Sequence, residues 1–185
     1  GAANFAPAAS AQLTLGAVSG GANSLTKSGA GTLVLGSANI YNGGTNVDAG
    51  VITVSNASAL GNGTVNWTSG DTGRIAFAGG ITYANNFVVG SGVAGTASQG
   101  LFGHTGGGGV ATISGTVLLS GLTGAGGAIM GSGTAGQELR FTGAINQTAS
   151  NIGLSQRDGR VIYAGGGNVT GNFVVTGTAL LGATN

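Results

Sequence analysis

The chain alternates short apolar stretches with polar, glycine-rich ones from end to end. The clearest apolar stretches are Leu13-Thr14-Leu15, Leu33-Val34-Leu35, Val51-Ile52-Thr53-Val54, Ile75-Ala76-Phe77, Phe87-Val88-Val89, Ala111-Thr112-Ile113, Val117-Leu118-Leu119, Leu139-Arg140-Phe141, Val161-Ile162-Tyr163 and Phe173-Val174-Val175. Each is bounded by Gly, Asn, Ser or Thr, a pattern of strands and turns. Strands this short do not form stable isolated hairpins. Stacked coils solve the problem: each strand bonds to the strand one coil above and one below, and its inward residues join an apolar column.

Internal similarity supports a repeat. Asn86-Phe87-Val88-Val89 recurs as Asn172-Phe173-Val174-Val175, Gly90 to Gly95 resembles Gly131 to Gly136, and Gly31 to Leu35 resembles Gly159 to Tyr163. The offsets are near multiples of about 21 residues, the scale of a solenoid coil. About nine such coils, about 4.8 Å apart, make a rod about 40 Å long.

Composition narrows this picture. The 185 residues include 42 glycines, about three times the usual share. Collagen is excluded, because glycine does not recur every third residue and Pro7 is the single proline. Disorder fits badly with a chain that is 41% hydrophobic and carries a net charge of +1. Turns that need φ > 0 explain glycine and pairs such as Asn42-Gly43, Asn62-Gly63 and Asp158-Gly159. Scarce Lys and Arg argue against nucleic-acid binding. Absent cysteine excludes disulfides and thiolate metal sites. No apolar run reaches membrane-helix length. Gly1 to Ala11 lacks a basic n-region and does not resemble a signal peptide. With Leu180 to Asn185 ending in mid-rhythm, the expectation is a single β-helical segment, 1–185, of a longer array or fibre, whose open coil ends pair with copies.

The segment Leu25 to Val65 carries a more specific pattern. It reads Leu25-Thr26-Lys27-Ser28-Gly29-Ala30-Gly31-Thr32-Leu33, then Asn39-Ile40-Tyr41-Asn42-Gly43-Gly44-Thr45, Asp48-Ala49-Gly50 and Ala59-Leu60-Gly61. This resembles the autotransporter-associated β-strand repeat, also called the passenger-associated transport repeat. A looser copy spans Gly159 to Asn185 without the Tyr and the Gly-Gly-Thr. The resemblance implies an all-β, right-handed parallel β-helix and a bacterial extracellular or cell-surface passenger segment. The outer-membrane barrel that exports many such passengers is not in this sequence.

Candidate chemistry is sparse. The four carboxylates are Asp48, Asp71, Glu138 and Asp158. Asp48 with Asp71, and Glu138 with Asp158, are spaced to lie one coil apart, about 5 Å, within reach of glycosidase chemistry. Exposed turns are the favoured reading of all four. His104, the one histidine, cannot build a histidine metal cluster and reads as a loop residue. Two G-x-G-x-x-G matches, Gly90 to Gly95 and Gly131 to Gly136, precede no helix and read as turns. Sequons at Asn56, Asn62, Asn66, Asn146 and Asn168 follow from composition. Arg157 and Arg160 flank Asp158; an anionic partner is one reading of the run, and a local salt-bridged turn is the favoured one. Trp67, Tyr41, Tyr83 and Tyr163 are candidates for stacking on sugars, with a structural role favoured for Tyr41.

No catalytic, cofactor-binding or metal-binding residues emerge. The expectation is a non-catalytic structural rod, a spacer or self-assembling fibre subunit. The alternatives are an adhesin presenting loops or a flat face to glycans and, more weakly, a polysaccharide-active enzyme.

Overall fold

The computed structural model describes all residues except 69, 91–92, 94–99, 121–127, 132–136, 149–153, 158, 170–172, 177–179 and 184–185. The two G-x-G-x-x-G matches, Asp158 and Asn172 fall wholly or mainly outside the described residues.

Strands are numbered in chain order and fall into three sheets. The first holds β1 (Ala3–Phe5), β3 (Leu25–Lys27), β5 (Thr45–Val47), β7 (Val65–Trp67), β10 (Phe87–Val89), β13 (Val117–Leu119), β16 (Ile145–Gln147) and β19 (Gly167–Asn168). The second holds β2 (Gln12–Leu15), β4 (Thr32–Leu35), β6 (Val51–Val54), β8 (Arg74–Phe77), β11 (Phe102–His104), β14 (Ala128–Gly131), β17 (Leu154–Arg157) and β20 (Phe173–Thr176). The third holds β9 (Thr82–Tyr83), β12 (Val110–Ile113), β15 (Glu138–Phe141), β18 (Arg160–Tyr163) and β21 (Leu180–Ala183).

Every pairing is parallel, and each strand inside a sheet joins its counterparts one coil earlier and one coil later. This is the pairing pattern of a parallel β-helix. The described residues contain no helix, and so none long and apolar enough to cross a membrane.

Alternation places the core. Most first-sheet strands bury their two outer positions and half-bury the middle one, as in Leu25-Thr26-Lys27 and Val117-Leu118-Leu119. In the second sheet Leu33, Ile52, Ile75 and Phe102 form one inward column. Where the coils meet the third sheet, the core turns aromatic. Phe102 lies 5.3 Å from Trp67, 5.2 Å from Phe87 and 5.5 Å from Phe141 between ring centroids. Tilted and edge-on contacts of this kind add about 1 kcal/mol each beyond burial.

The coil is not of uniform length. Leu25 pairs with Thr45 and Thr45 with Val65, steps of 20 residues, whereas Phe87 pairs with Val117, a step of 30. Two of the internal matches therefore do not mark equivalent places. Phe87 lies in the first sheet and Phe173 in the second, while Leu33 lies in the second and Val161 in the third. Strands of all three sheets share the same alternation, so their sequences resemble one another across sheets as well as along one. The early, short coils carry no third strand. A turn bonded from coil to coil takes its place: Ile40 N–H donates to Val18 O, Asn42 N–H to Gly21 O, and Asn62 N–H to Tyr41 O.

Candidate functional site

The residues that make Leu25 to Val65 distinctive gather at two corners of the short coils. At the first corner, the alternation of β3 turns Lys27 to the same inward side as Leu25, and its side chain is 0% exposed. Its Nζ donates to the carbonyls of Ser28 and Gly29 at 2.8 Å each and of Ala49, one coil on, at 2.9 Å. Three acceptors for three N–H donors is the complement of an ammonium. Burial pulls its pKa below the usual lysine range, and the charge of Asp48 pulls the other way.

Asp48 and Asp71 lie on successive coils of this corner, joined by the bond from Thr72 N–H to Asp48 O at 2.8 Å. Burial first, and then the charge of Asp71, raise the pKa of Asp48, with Lys27 opposing. Asp71 is buried, and its Oδ2 accepts from the backbone and the hydroxyl of Thr68, which closes its own turn. The two carboxylates are thus coupled, and one is committed to a local turn.

At the second corner, Tyr41 is buried and its hydroxyl meets Thr45 Oγ1 at 2.7 Å. Thr45 Oγ1 in turn donates to Leu60 O at 3.0 Å. Asn39 bridges coils on both sides: its Oδ1 accepts from Val18 N–H at 2.7 Å and its Nδ2 donates to Ala59 O. Gly61 has φ +67, and a Cβ there would lie 2.6 Å from the Tyr41 ring. Gly44 has φ +88, and a Cβ there would lie 2.5 Å from Thr64 O. Both positions require glycine for conformation and for space. Asn39, Tyr41, Gly44, Thr45, Ala59, Leu60 and Gly61 therefore form one bonded unit between adjacent coils.

The remaining candidates separate. Trp67 and Tyr83 are buried, which removes them as candidates for stacking on sugars, and Tyr41 is buried in keeping with the structural role favoured for it. Trp67 Nε1 donates to Gly73 O at 2.7 Å, and Tyr83 donates to Val54 O at 3.1 Å with its pKa pushed up to about 12 by burial. Tyr163 is partly buried and stacks on Phe141 at 5.6 Å. His104 is not a loop residue: it ends β11 and is buried. Glu138 lies in β15 and not in an exposed turn; it faces Arg160 in register and bonds Arg140 at 2.8 Å and Arg160 at 3.0 Å. Among the described residues no cluster of His, Asp and Glu is arranged to hold a metal ion.

The inward registers of Lys27 and His104 are not among the features that motif and spacing single out. Both were legible as phase: Lys27 follows Leu25 by two, and His104 follows Phe102 by two. An inward strand position occupied by a titratable group is the signal.

No curated protein and no solved structure matches the chain. The family model of the passenger-associated transport repeat matches residues 25–54. These are the residues whose side chains close the Lys27 corner and open the Tyr41 corner, so it is in this bonded stretch, residues 25–54, that the chain is similar to a passenger-associated transport repeat.

Proposed function

We propose that this chain is a non-catalytic structural section of a passenger, a rigid right-handed β-helical rod of about nine coils held outside the cell or on its surface. The observation that carries the reading is the use made of the repeat's own signature. Lys27, Asn39, Tyr41 and Thr45 spend their polar atoms on backbone groups or on each other. The carboxylates follow suit: Asp71 closes a turn and Glu138 is held between two arginines. Electron microscopy and small-angle scattering of the purified chain test it. Rods are expected, and filaments repeating near one chain length extend the reading to a self-assembling fibre. A compact particle, or oligosaccharide release lost in Asp48→Asn, rejects it.

One observation favours an adhesin as the second reading. The middle positions of the first sheet run Asn4, Thr26, Asn46, Asn66, Val88, Leu118, Asn146 and Asn168 in register, an outward column rich in neutral amides. Uncharged amides spaced about 4.8 Å apart suit a neutral glycan. Saturable binding on a glycan array, weakened by Asn46→Ala with Asn146→Ala, supports it; no binding leaves the rod alone.

A further inference from the structure

One inward column of the second sheet runs Leu15, Leu35, Val54, Phe77 and His104 in register. Four apolar side chains are followed by an imidazole that is 5% exposed. Beyond His104 the chain turns through the consecutive glycines Gly106–Gly109, with φ of 90 at Gly106, 88 at Gly107 and 101 at Gly109. The loop sits on the preceding coil. Gly80 N–H donates to Val110 O at 2.8 Å, and a Cβ at Gly79 would lie 2.5 Å from Gly108 O. At Gly109 a Cβ would lie 2.9 Å from Gly80 N, so at that end of the loop the two turns stack backbone on backbone, while Gly107 and Gly108 face open space.

His104 ties the loop down. The Gly106 N–H donates to its Nδ1 at 3.3 Å. Its Nε2 is buried without a partner in hydrogen-bond geometry. Because Nδ1 accepts, the neutral ring carries its proton on Nε2. A second proton has to go to Nδ1, and then an N–H faces an N–H.

We propose that His104 is an acid-sensitive latch: protonation at Nδ1 breaks the bond from Gly106 and frees the loop Gly106–Gly109 from the coil stack, while the strands stay wound. Among the described residues no free carboxylate is there to offset the added charge. From β8 comes Arg74, whose Nη2 would lie 3.2 Å from a Cβ at Gly103. From β9 comes Tyr83, bonded to Val54 O. From β15 comes Glu138, already held by Arg140 and Arg160. β12 and β14 bring no titratable side chain. Burial lowers the His104 pKa, with the Gly109 backbone working against it. A histidine whose folded pKa lies below its unfolded one stabilises the fold above the unfolded value and loses that contribution as pH falls below it.

His104 is the single histidine, so its imidazole signal in a ¹⁵N-labelled chain is unambiguous. The experiment follows that signal together with the Gly106 amide and its exchange protection factor from about pH 7.5 to about pH 5. Both amide readouts are expected to change with the imidazole midpoint, protection falling about tenfold or more while the Val54 and Phe77 amides keep theirs. In His104→Gln the side-chain carbonyl accepts from Gly106 without titrating, so protection is expected to stay flat. Unchanged Gly106 protection on a protonated ring overturns the latch. So does the same loss in His104→Gln, or an imidazole that stays neutral until the whole chain unfolds. If His104→Gln does not fold, the coincidence of imidazole and amide titrations in the natural chain decides.

Discussion

A lysine on the core face of a strand costs several kcal/mol unless its N–H groups find acceptors. Lys27 finds three carbonyls, one of them on the next coil, so the residue that looks least suited to the core fastens two coils at their corner. Lys27→Ala strands those carbonyls and opens a cavity; urea unfolding is expected to show a loss of about 3 kcal/mol. A change under about 0.5 kcal/mol would mean that water replaces the ammonium without cost. Gly61 is the second residue on which the repeat turns, because φ +67 and the nearby Tyr41 ring both exclude a side chain. Gly61→Ala is expected to cost about 2 kcal/mol or more in thermal unfolding and to alter the near-ultraviolet dichroism of the tyrosines. An unshifted transition would show that the Tyr41 corner is not packed as described.

At the scale of the element, the corner between the first and second sheets is where charge matters. Burial, and then the charge of Asp71 on the next coil, raise the pKa of Asp48. The folded chain then holds that proton more tightly than the unfolded chain does. Stability from this group is greatest below the unfolded carboxylate value, about 3.9, and falls as pH climbs through the folded one. Asp48→Asn is therefore expected to be more stable than the natural chain near pH 7, with the advantage gone near pH 3, as read by urea midpoints at both. A less stable variant at neutral pH would show that the attraction of Lys27 outweighs burial. The strands themselves were unevenly legible. All ten apolar stretches fall in strands, because two inward apolar residues around a third is an unmistakable phase. Strands such as β5 (Thr-Asn-Val) and β7 (Val-Asn-Trp) were missed, since their middle position is an outward Asn of low β propensity.

The whole molecule has nine charged side chains and a net charge of +1. Its ion pairs among the described residues join Glu138 to Arg140 and Arg160, with both arginines substantially exposed. Backbone bonds between coils and the apolar column carry the stability instead. Raising salt from about 0.01 M to about 1 M shortens the screening length from about 30 to about 3 Å, yet should move the unfolding free energy by less than about 1 kcal/mol. A shift of several kcal/mol would assign the fold to its few charges. At this scale the coil length also changes, from steps of 20 residues around the repeat to 30 where the aromatic core and third sheet begin.

The sequence by itself determined the strand-and-turn rhythm, the all-β class and the repeat at its N-terminal side, because alternation and turn chemistry are local properties of the chain. Tertiary structure alone decided which strands share a sheet, that Lys27 closes a corner and that His104 ends an apolar column. Those depend on register, which sets residues 20 to 30 positions apart side by side. The alternating pattern is the same in every sheet, so it can show which way a side chain points but not what it meets there.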